Sequence, residues 1–191
     1  MPDCSRVAVL ISGRGSNMAA LIYASRADDC PYEVALVTGD NPDAPGLELA
    51  EAEGVPVTRL PAPASKDESG FFNALESVLE NGEIDLIALA GFMRIIPDDF
   101  LARWKGRIVN IHPSLLPKYR GLDTHQRAID AGDLAGGCSV HLVTEEIDAG
   151  EVLGQSEVAI LPGDTAQTLA QRVLAAEHLL YPRILRQFVV R

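Results

Sequence analysis

Apolar residues in this chain come as short unbroken runs, and between the runs they recur every three or four positions. Arg6 to Ile11 reads RVAVLI, a β-branched run ending in Ser-Gly, and Ser16 to Arg26 then spaces its apolar residues along one helical face. Strand, turn and helix return as YEVALV (Tyr32 to Val37), a loop with Pro42, Pro45 and Gly46, and the helix-like GLELAEAEG. VPVTRL (Val55 to Leu60) follows, then a helix over Gly70 to Glu80, then IDLIALAG (Ile84 to Gly91). A short helix begun by Pro97 and Asp98 leads to RIVNI (Arg107 to Ile111), one more strand.

Near-continuous apolar strands alternating with helices are what a parallel sheet covered on both faces requires. The rhythm then changes. CSVHLV (Cys138 to Val143) and EVLGQSEVAI (Glu151 to Ile160) are separated by only a turn, which predicts an antiparallel hairpin at the sheet edge. Asp164 and Thr165 open an amphipathic helix that runs to Leu185, with Pro182 predicting a kink or break. The expectation is an α/β fold: a doubly wound, mostly parallel sheet with an antiparallel hairpin edge, residues 1–191 forming a single domain. There is no internal repeat, low-complexity segment or linker.

The 191 residues suffice for one well-buried core. No run of about 18 apolar residues occurs, and no basic start precedes an apolar stretch, so neither a membrane span nor export is expected. Lys and Arg number 16 against 27 Asp and Glu, a net charge of −11 that argues against a general nucleic-acid binder but leaves room for a local anion pocket. Cys4, Cys30 and Cys138 are scattered and form no CxxC, so neither a disulfide framework nor a zinc site is indicated, and a reducing cytoplasm is the expected setting.

Candidate chemistry gathers where strands end. SGRGSN (Ser12 to Asn17) sits between the first strand and first helix, the edge at which open α/β sheets bind ligands. Gly13 and Gly15 permit tight backbone geometry, and amides at a helix start favour an anion, so Gly15, Ser16 and Asn17 are candidate phosphate contacts. A plain strand-to-helix turn with Ser16 or Asn17 as N-cap accounts for the same residues. Met18 stands where a dinucleotide fingerprint has its third glycine, and GK[ST] is missing, so the turn is neither that fingerprint nor a P-loop.

Asn110 and His112 flank Ile111 at a strand end, and alternation puts both side chains on one face. Pro113, Leu115, Leu116 and Pro117 stiffen the loop that follows, and the predicted hairpin brings Asp148 to the same edge. Such a trio suits acyl transfer: an Asn amide donates to an oxyanion, a protonated His stabilises it and relays a proton, and a carboxylate holds that His charged and oriented. A solvated loop His and a turn Asp are the plainer reading, and spacing alone does not separate the two. No GxSxG elbow and no HExxH spacing is present. His141 alternates with Val140 and Leu142 and reads as a structural hydrogen-bonder, His178 as surface, and His125 beside Thr124 as part of a helix start.

VLISGRGSNMAALI, LAGFMRIIP, NIHPSLLPKYRGLDTH and SVHLVTEEIDAGEVLGQ, in this order and with these gaps, resemble the folate-dependent phosphoribosylglycinamide formyltransferase family over nearly the whole chain. The resemblance implies a Rossmann-like formyltransferase fold and transfer of the formyl group of 10-formyltetrahydrofolate to the amine of glycinamide ribonucleotide, without a metal. It places the family's catalytic Asn, His and Asp on Asn110, His112 and Asp148, and its acceptor contacts on Gly15, Ser16, Asn17 and Glu177. The folate pocket falls on Leu89, Phe92, Met93, Arg94, Ile95 and Ile96, with Glu145, Glu146 and Ile147 lying along the pterin ring.

This sequence departs from the family at Lys66, the lone basic residue of APASKDESG, and at Leu174, where some members carry a polar Gln. Lys118 and Arg120 are further candidate anion partners. A cytoplasmic enzyme acting as monomer or homodimer on two small molecules, with no nucleic acid and no membrane, is the resulting expectation. A tRNA-directed formyltransferase would be expected to add a basic domain after the last helix, and a formyltetrahydrofolate hydrolase a domain before the first strand. Size alone does not exclude a sugar formyltransferase, which would not be expected to show the Gly-Ser-Asn turn. A nucleotide-binding oxidoreductase would account for the glycine turn and leave Asn110, His112 and Asp148 unused; a non-catalytic binding module would bind without turnover.

Overall fold

The computed structural model describes residues 4–60 and 68–190, so Lys66 lies outside the described residues. Each apolar run becomes a strand and each amphipathic stretch a helix, in the order β1 (Ser5–Ile11), α1 (Ser16–Ser25), β2 (Tyr32–Gly39), α2 (Pro45–Ala52), β3 (Val57–Arg59), α3 (Glu68–Asn81) and β4 (Leu86–Leu89). α4 (Asp98–Arg103), β5 (Ile108–His112), α5 (Thr124–Asp130), β6 (Ala135–Leu142), β7 (Val152–Ala159) and α6 (Ala166–Phe188) complete the chain. The strands form one seven-stranded sheet in the order β3-β2-β1-β4-β5-β6-β7. β1 to β5 run parallel, while β6 is antiparallel to β5 and β7 to β6.

Alternation along β1 splits the interior into two cores. Val7, Val9 and Ile11 point to one face, where Met18, Leu21, Leu180 and Tyr181 cover them, and Ala8 and Leu10 point to the other, under Phe72, Leu75, Leu79 and Phe100. Each buried Leu or Phe contributes roughly 1.5–3 kcal/mol, so both faces hold their helices firmly. The order reverses beside β1, where β2 lies on one side and β4 on the other, which opens a crevice at the C-terminal strand ends.

Several local expectations change. α6 runs unbroken through Pro182. A proline inside a helix costs about 3 kcal/mol, and burial of Leu180, Tyr181, Ile184 and Leu185 around it offsets that loss. Thr165 caps this helix reciprocally with Thr168. α1 is capped differently from expectation: Gly15, at φ 71°, is the N-cap, no side chain caps the helix, and Ser16 and Asn17 are its first residues. α5 begins at Thr124, where a helix start is expected from Thr124 and His125. The connection between β6 and β7 spans residues 143–151 and carries Asp148, so it is a loop rather than a tight turn. Among the described residues no helix is long and apolar enough to cross a membrane.

Candidate active site

β5 and β6 bring the candidate residues together by register: Asn110 pairs with His141, and His112 with Ser139. Val109 and Ile111 are buried in the core, so alternation turns Asn110 and His112 to the opposite side. His112 Nδ1 lies 3.3 Å from Asp148 Oδ2, and His141 Nε2 lies 3.5 Å from Asp148 Oδ1. Asn110 Nδ2 lies 3.2 Å from His141 Nε2, and His141 Nδ1 lies 2.8 Å from Leu142 O.

His141 Nδ1 faces the Leu142 carbonyl and carries a proton, while Nε2 faces both the Asn110 amide and the Asp148 carboxylate. The Asn110 amide is held through Nδ2 by His141, which leaves its second N–H for a ligand. His112 faces an acceptor at each nitrogen, since its Nε2 lies 3.0 Å from Tyr119 O.

Asp148 reaches this position through its backbone. It adopts a left-handed conformation at φ 50°, tolerated better by Asp than by most residues, and the loop then folds tightly back on β6. Leu142 N donates to Glu151 O at 2.9 Å, and a Cβ on Gly150 would lie 1.9 Å from Leu142 O. Burial works to raise the Asp148 pKa but is outweighed by the His141 contact, a 3.0 Å bond from Gly121 N and the nearby charge of His112, so the carboxyl ends below its ordinary range.

The loop after His112 is braced throughout. Thr124 Oγ1 donates to Pro113 O at 2.7 Å, Ser114 Oγ to Lys118 O at 2.7 Å, and Ser139 Oγ to Ser114 O at 2.6 Å. Lys118 and the Tyr119 hydroxyl both bind Asp133, and Arg120 pairs with Glu146. The two cations thought available for an anion are therefore engaged with carboxylates. Under the loop lies a cavity of about 410 Å³ walled by Pro113, Leu115, Tyr119, His125 and Leu169, beside Asn110, His112 and Asp148 rather than containing them. Burial pushes the His125 imidazole down from its ordinary value.

At the other end of the crevice, the start of α1 meets α6. Asn17 Nδ2 donates to Glu177 Oε2 at 2.7 Å, while Asn17 Oδ1 is buried without a partner among the described residues. Glu177 is only 6% exposed, and burial raises its carboxyl pKa against the lowering effect of Asn17. Leu174 lies one turn earlier on α6 and is exposed. His178, read as surface, has a buried Nε2 with no partner among the described residues.

The segment after β4 divides its side chains. Leu89, Phe92 and Ile96 are buried, Phe92 stacking on Phe71 at 6.3 Å, whereas Met93 and Ile95 are 73% and 72% exposed. Arg94 Nε binds Asp40 Oδ2 at 3.0 Å. Glu145 and Glu146 are exposed, and Ile147 is largely so. Leu89 pairs with Asn110 across β4 and β5, which sets this segment beside the end of β5.

The structure thus gathers Asn110, His112 and Asp148 around His141 in one network, and joins Asn17 to Glu177 beside Gly15 and Ser16 at the start of α1. The member that sequence reasoning missed is His141, whose only signal is its cross-strand register with Asn110.

Residues 5–185 match the model of the formyl transferase family. The chain is 41% identical over 185 residues to the trifunctional purine biosynthetic protein adenosine-3 of Bos taurus, covering 97% of this chain and 18% of that protein. It is 40% identical over 182 residues to the phosphoribosylglycinamide formyltransferase of Escherichia coli (strain K12), covering 95% of this chain and 86% of that one. The crystal structure of phosphoribosylglycinamide formyltransferase from Brucella melitensis superimposes with a TM-score of 0.93 at 48% identity, covering 98% of this chain and 96% of that one. With residues 5–185 of its 191 matched by the family model, the chain belongs to the formyl transferase family.

Proposed function

We propose that this chain transfers the formyl group of 10-formyltetrahydrofolate to the amine of glycinamide ribonucleotide, a step of purine biosynthesis in the cytoplasm. The observation that carries this reading is the network joining Asn110, His141, Asp148 and His112 at the end of β5 and β6. It offers directed N–H donors backed by a single carboxylate at the edge where the sheet binds ligands. The names of the relatives in E. coli and B. melitensis support the choice of acceptor.

The acceptor amine attacks the formyl carbon, forming the new C–N bond, and the carbonyl electron pair moves onto oxygen. The free N–H of Asn110 and a proton on His112 meet that oxyanion, while Asp148 balances the positive charge on the protonated ring. As the intermediate collapses, the bond to the folate nitrogen breaks. That nitrogen takes a proton, and the acceptor nitrogen releases one. His112 Nε2 lies against Tyr119 O, so the formyl oxygen takes the place of that carbonyl when the donor binds.

Gly15, Ser16 and Asn17 hold the acceptor phosphate at the uncapped start of α1, and Glu177 accepts from its hydroxyl groups. Leu89, Phe92 and Ile96 form the apolar wall of the folate pocket, with Met93 and Ile95 at its mouth and residues 145–147 along the pterin. Donor turnover followed by absorbance, with glycinamide ribonucleotide present, absent or replaced by an amino-sugar nucleotide, tests the assignment. Turnover is expected only with glycinamide ribonucleotide. Equal consumption without acceptor would make the chain a hydrolase, and turnover with the sugar nucleotide would reassign the acceptor.

A further inference from the structure

Where β1 and β4 end, the pairing between them continues. Ala90 N donates to Leu10 O at 2.9 Å, Ser12 N to Gly91 O at 3.2 Å, and Met93 N to Ser12 Oγ at 2.9 Å. A side-chain oxygen thus adds a rung beyond the backbone ladder. Ser12 begins the turn that leads to Gly15, Ser16 and Asn17, and Gly91 and Met93 belong to the segment assigned to the folate pocket. Gly91, left-handed at φ 79°, gives this segment the bend that carries it across Ser12.

The turn is also fixed from behind. Gly46 N donates to Gly13 O at 3.1 Å, and a Cβ on Gly46 would lie 2.8 Å from Gly13 O and 2.5 Å from Ile11 Cδ1. With the start of α2 packed so closely, the turn has no room to retreat from the Gly91–Met93 segment, and a displacement of either passes through Ser12. The segment has a second anchor, Arg94 on Asp40, which runs to the end of β2 instead.

We infer that Ser12 is a positioning residue that couples the two substrate sites, so that filling the phosphate turn sets the donor loop in its binding form, and the reverse. This rests on the acceptor and donor assignments above. Coupling between two sites is reciprocal, so each substrate tightens the other by one common factor.

Isothermal titration calorimetry of the full chain with glycinamide ribonucleotide, alone and with saturating tetrahydrofolate, reads that factor. Tetrahydrofolate lacks the formyl group, so no transfer disturbs the measurement. In the unaltered chain tetrahydrofolate is expected to tighten glycinamide ribonucleotide by about five-fold or more. Ser12→Ala brings the factor to unity. Asp40→Asn, which loosens the same loop from its other anchor, weakens tetrahydrofolate and keeps the factor. A factor of unity in the unaltered chain, a factor retained in Ser12→Ala, or one erased equally by Asp40→Asn would overturn the coupling role. Failure of the acceptor assignment shows separately, as absence of glycinamide ribonucleotide binding in the first titration.

Discussion

Asn17 on α1 and Glu177 on α6, 160 positions apart in sequence, share a buried 2.7 Å hydrogen bond. Nothing in the apolar pattern pairs these helices at that point. A carboxylate this deep loses hydration that one amide N–H replaces only in part, which is why its pKa stands above the ordinary Glu range. Such a carboxylate is suited to a ligand that brings further hydroxyl donors.

A stability cost at Glu177 follows, and its sign is determined by the raised pKa. A carboxyl whose folded pKa is raised favours the folded state below the ordinary Glu range, and that contribution is lost as pH rises through the raised value. Glu177→Gln keeps an acceptor for Asn17 and removes the charge. Its melting temperature is expected to exceed that of the unaltered chain at neutral pH, with the difference shrinking in acid. Its KM for glycinamide ribonucleotide is expected to rise about ten-fold or more, the scale of a hydrogen bond to a charged group. Thermal melts across pH and acceptor saturation curves check the two halves separately.

Asp148 carries the opposite sign. Its lowered pKa means that it stabilises the fold above the ordinary Asp range, and that this contribution is lost as pH falls through the lowered value. Asp148→Asn tolerates the left-handed backbone and removes only the charge. Its kcat is expected to fall by roughly 10²–10⁴, the usual span for proton-transfer groups. Its melting temperature should fall at neutral pH and converge with that of the unaltered chain in strong acid, as pH-dependent melts would record.

Gly150 has no polar group, yet it supports the position of Asp148. Because an added Cβ meets the backbone oxygen of Leu142 at 1.9 Å, no side-chain movement relieves the clash and the 143–151 loop has to shift. Gly150→Ala is expected to cost about 1–3 kcal/mol of stability, the range for overpacking, and to reduce turnover nearly as far as Asp148→Asn does. Denaturant titration and initial rates on one preparation test this, and a fully active Gly150→Ala would detach the loop geometry from catalysis.

His141 is expected to act through Asn110 and Asp148 rather than on the substrate. His141→Ala frees the amide of Asn110 to rotate, and a misplaced donor costs up to about 10² in rate. The loss should fall on kcat with donor KM little changed, and the double variant with Asn110→Ala should be slower than Asn110→Ala by less than the full His141→Ala loss, since only the part carried by Asp148 remains. Additive losses in that cycle would mean that His141 acts independently.

How much of this was legible in the sequence depends on the range of the interaction. Val7 to Ile11 and Leu86 to Leu89 announce buried parallel strands because both of their faces are apolar, and Asn110-x-His112 shows its shared face by alternation. The pairing of His141 with Asn110 depends on the register between β5 and β6, which no local pattern carries. Pro182 reads as a break because propensity is local, whereas the burial that holds α6 together comes from the sheet. Lys118 and Arg120 look available in sequence because their partners, Asp133 and Glu146, are brought to them by the fold.

The most direct test of the central claim follows the transferred atom itself. Glycinamide ribonucleotide and 10-formyltetrahydrofolate carrying a ¹³C formyl group are incubated with the unaltered chain and with His112→Ala, and the acceptor is analysed by mass spectrometry. The account predicts ¹³C-formyl on the acceptor amine with the unaltered chain and almost none with His112→Ala. Labelled formate in place of formylated acceptor, or full labelling by His112→Ala, would contradict it.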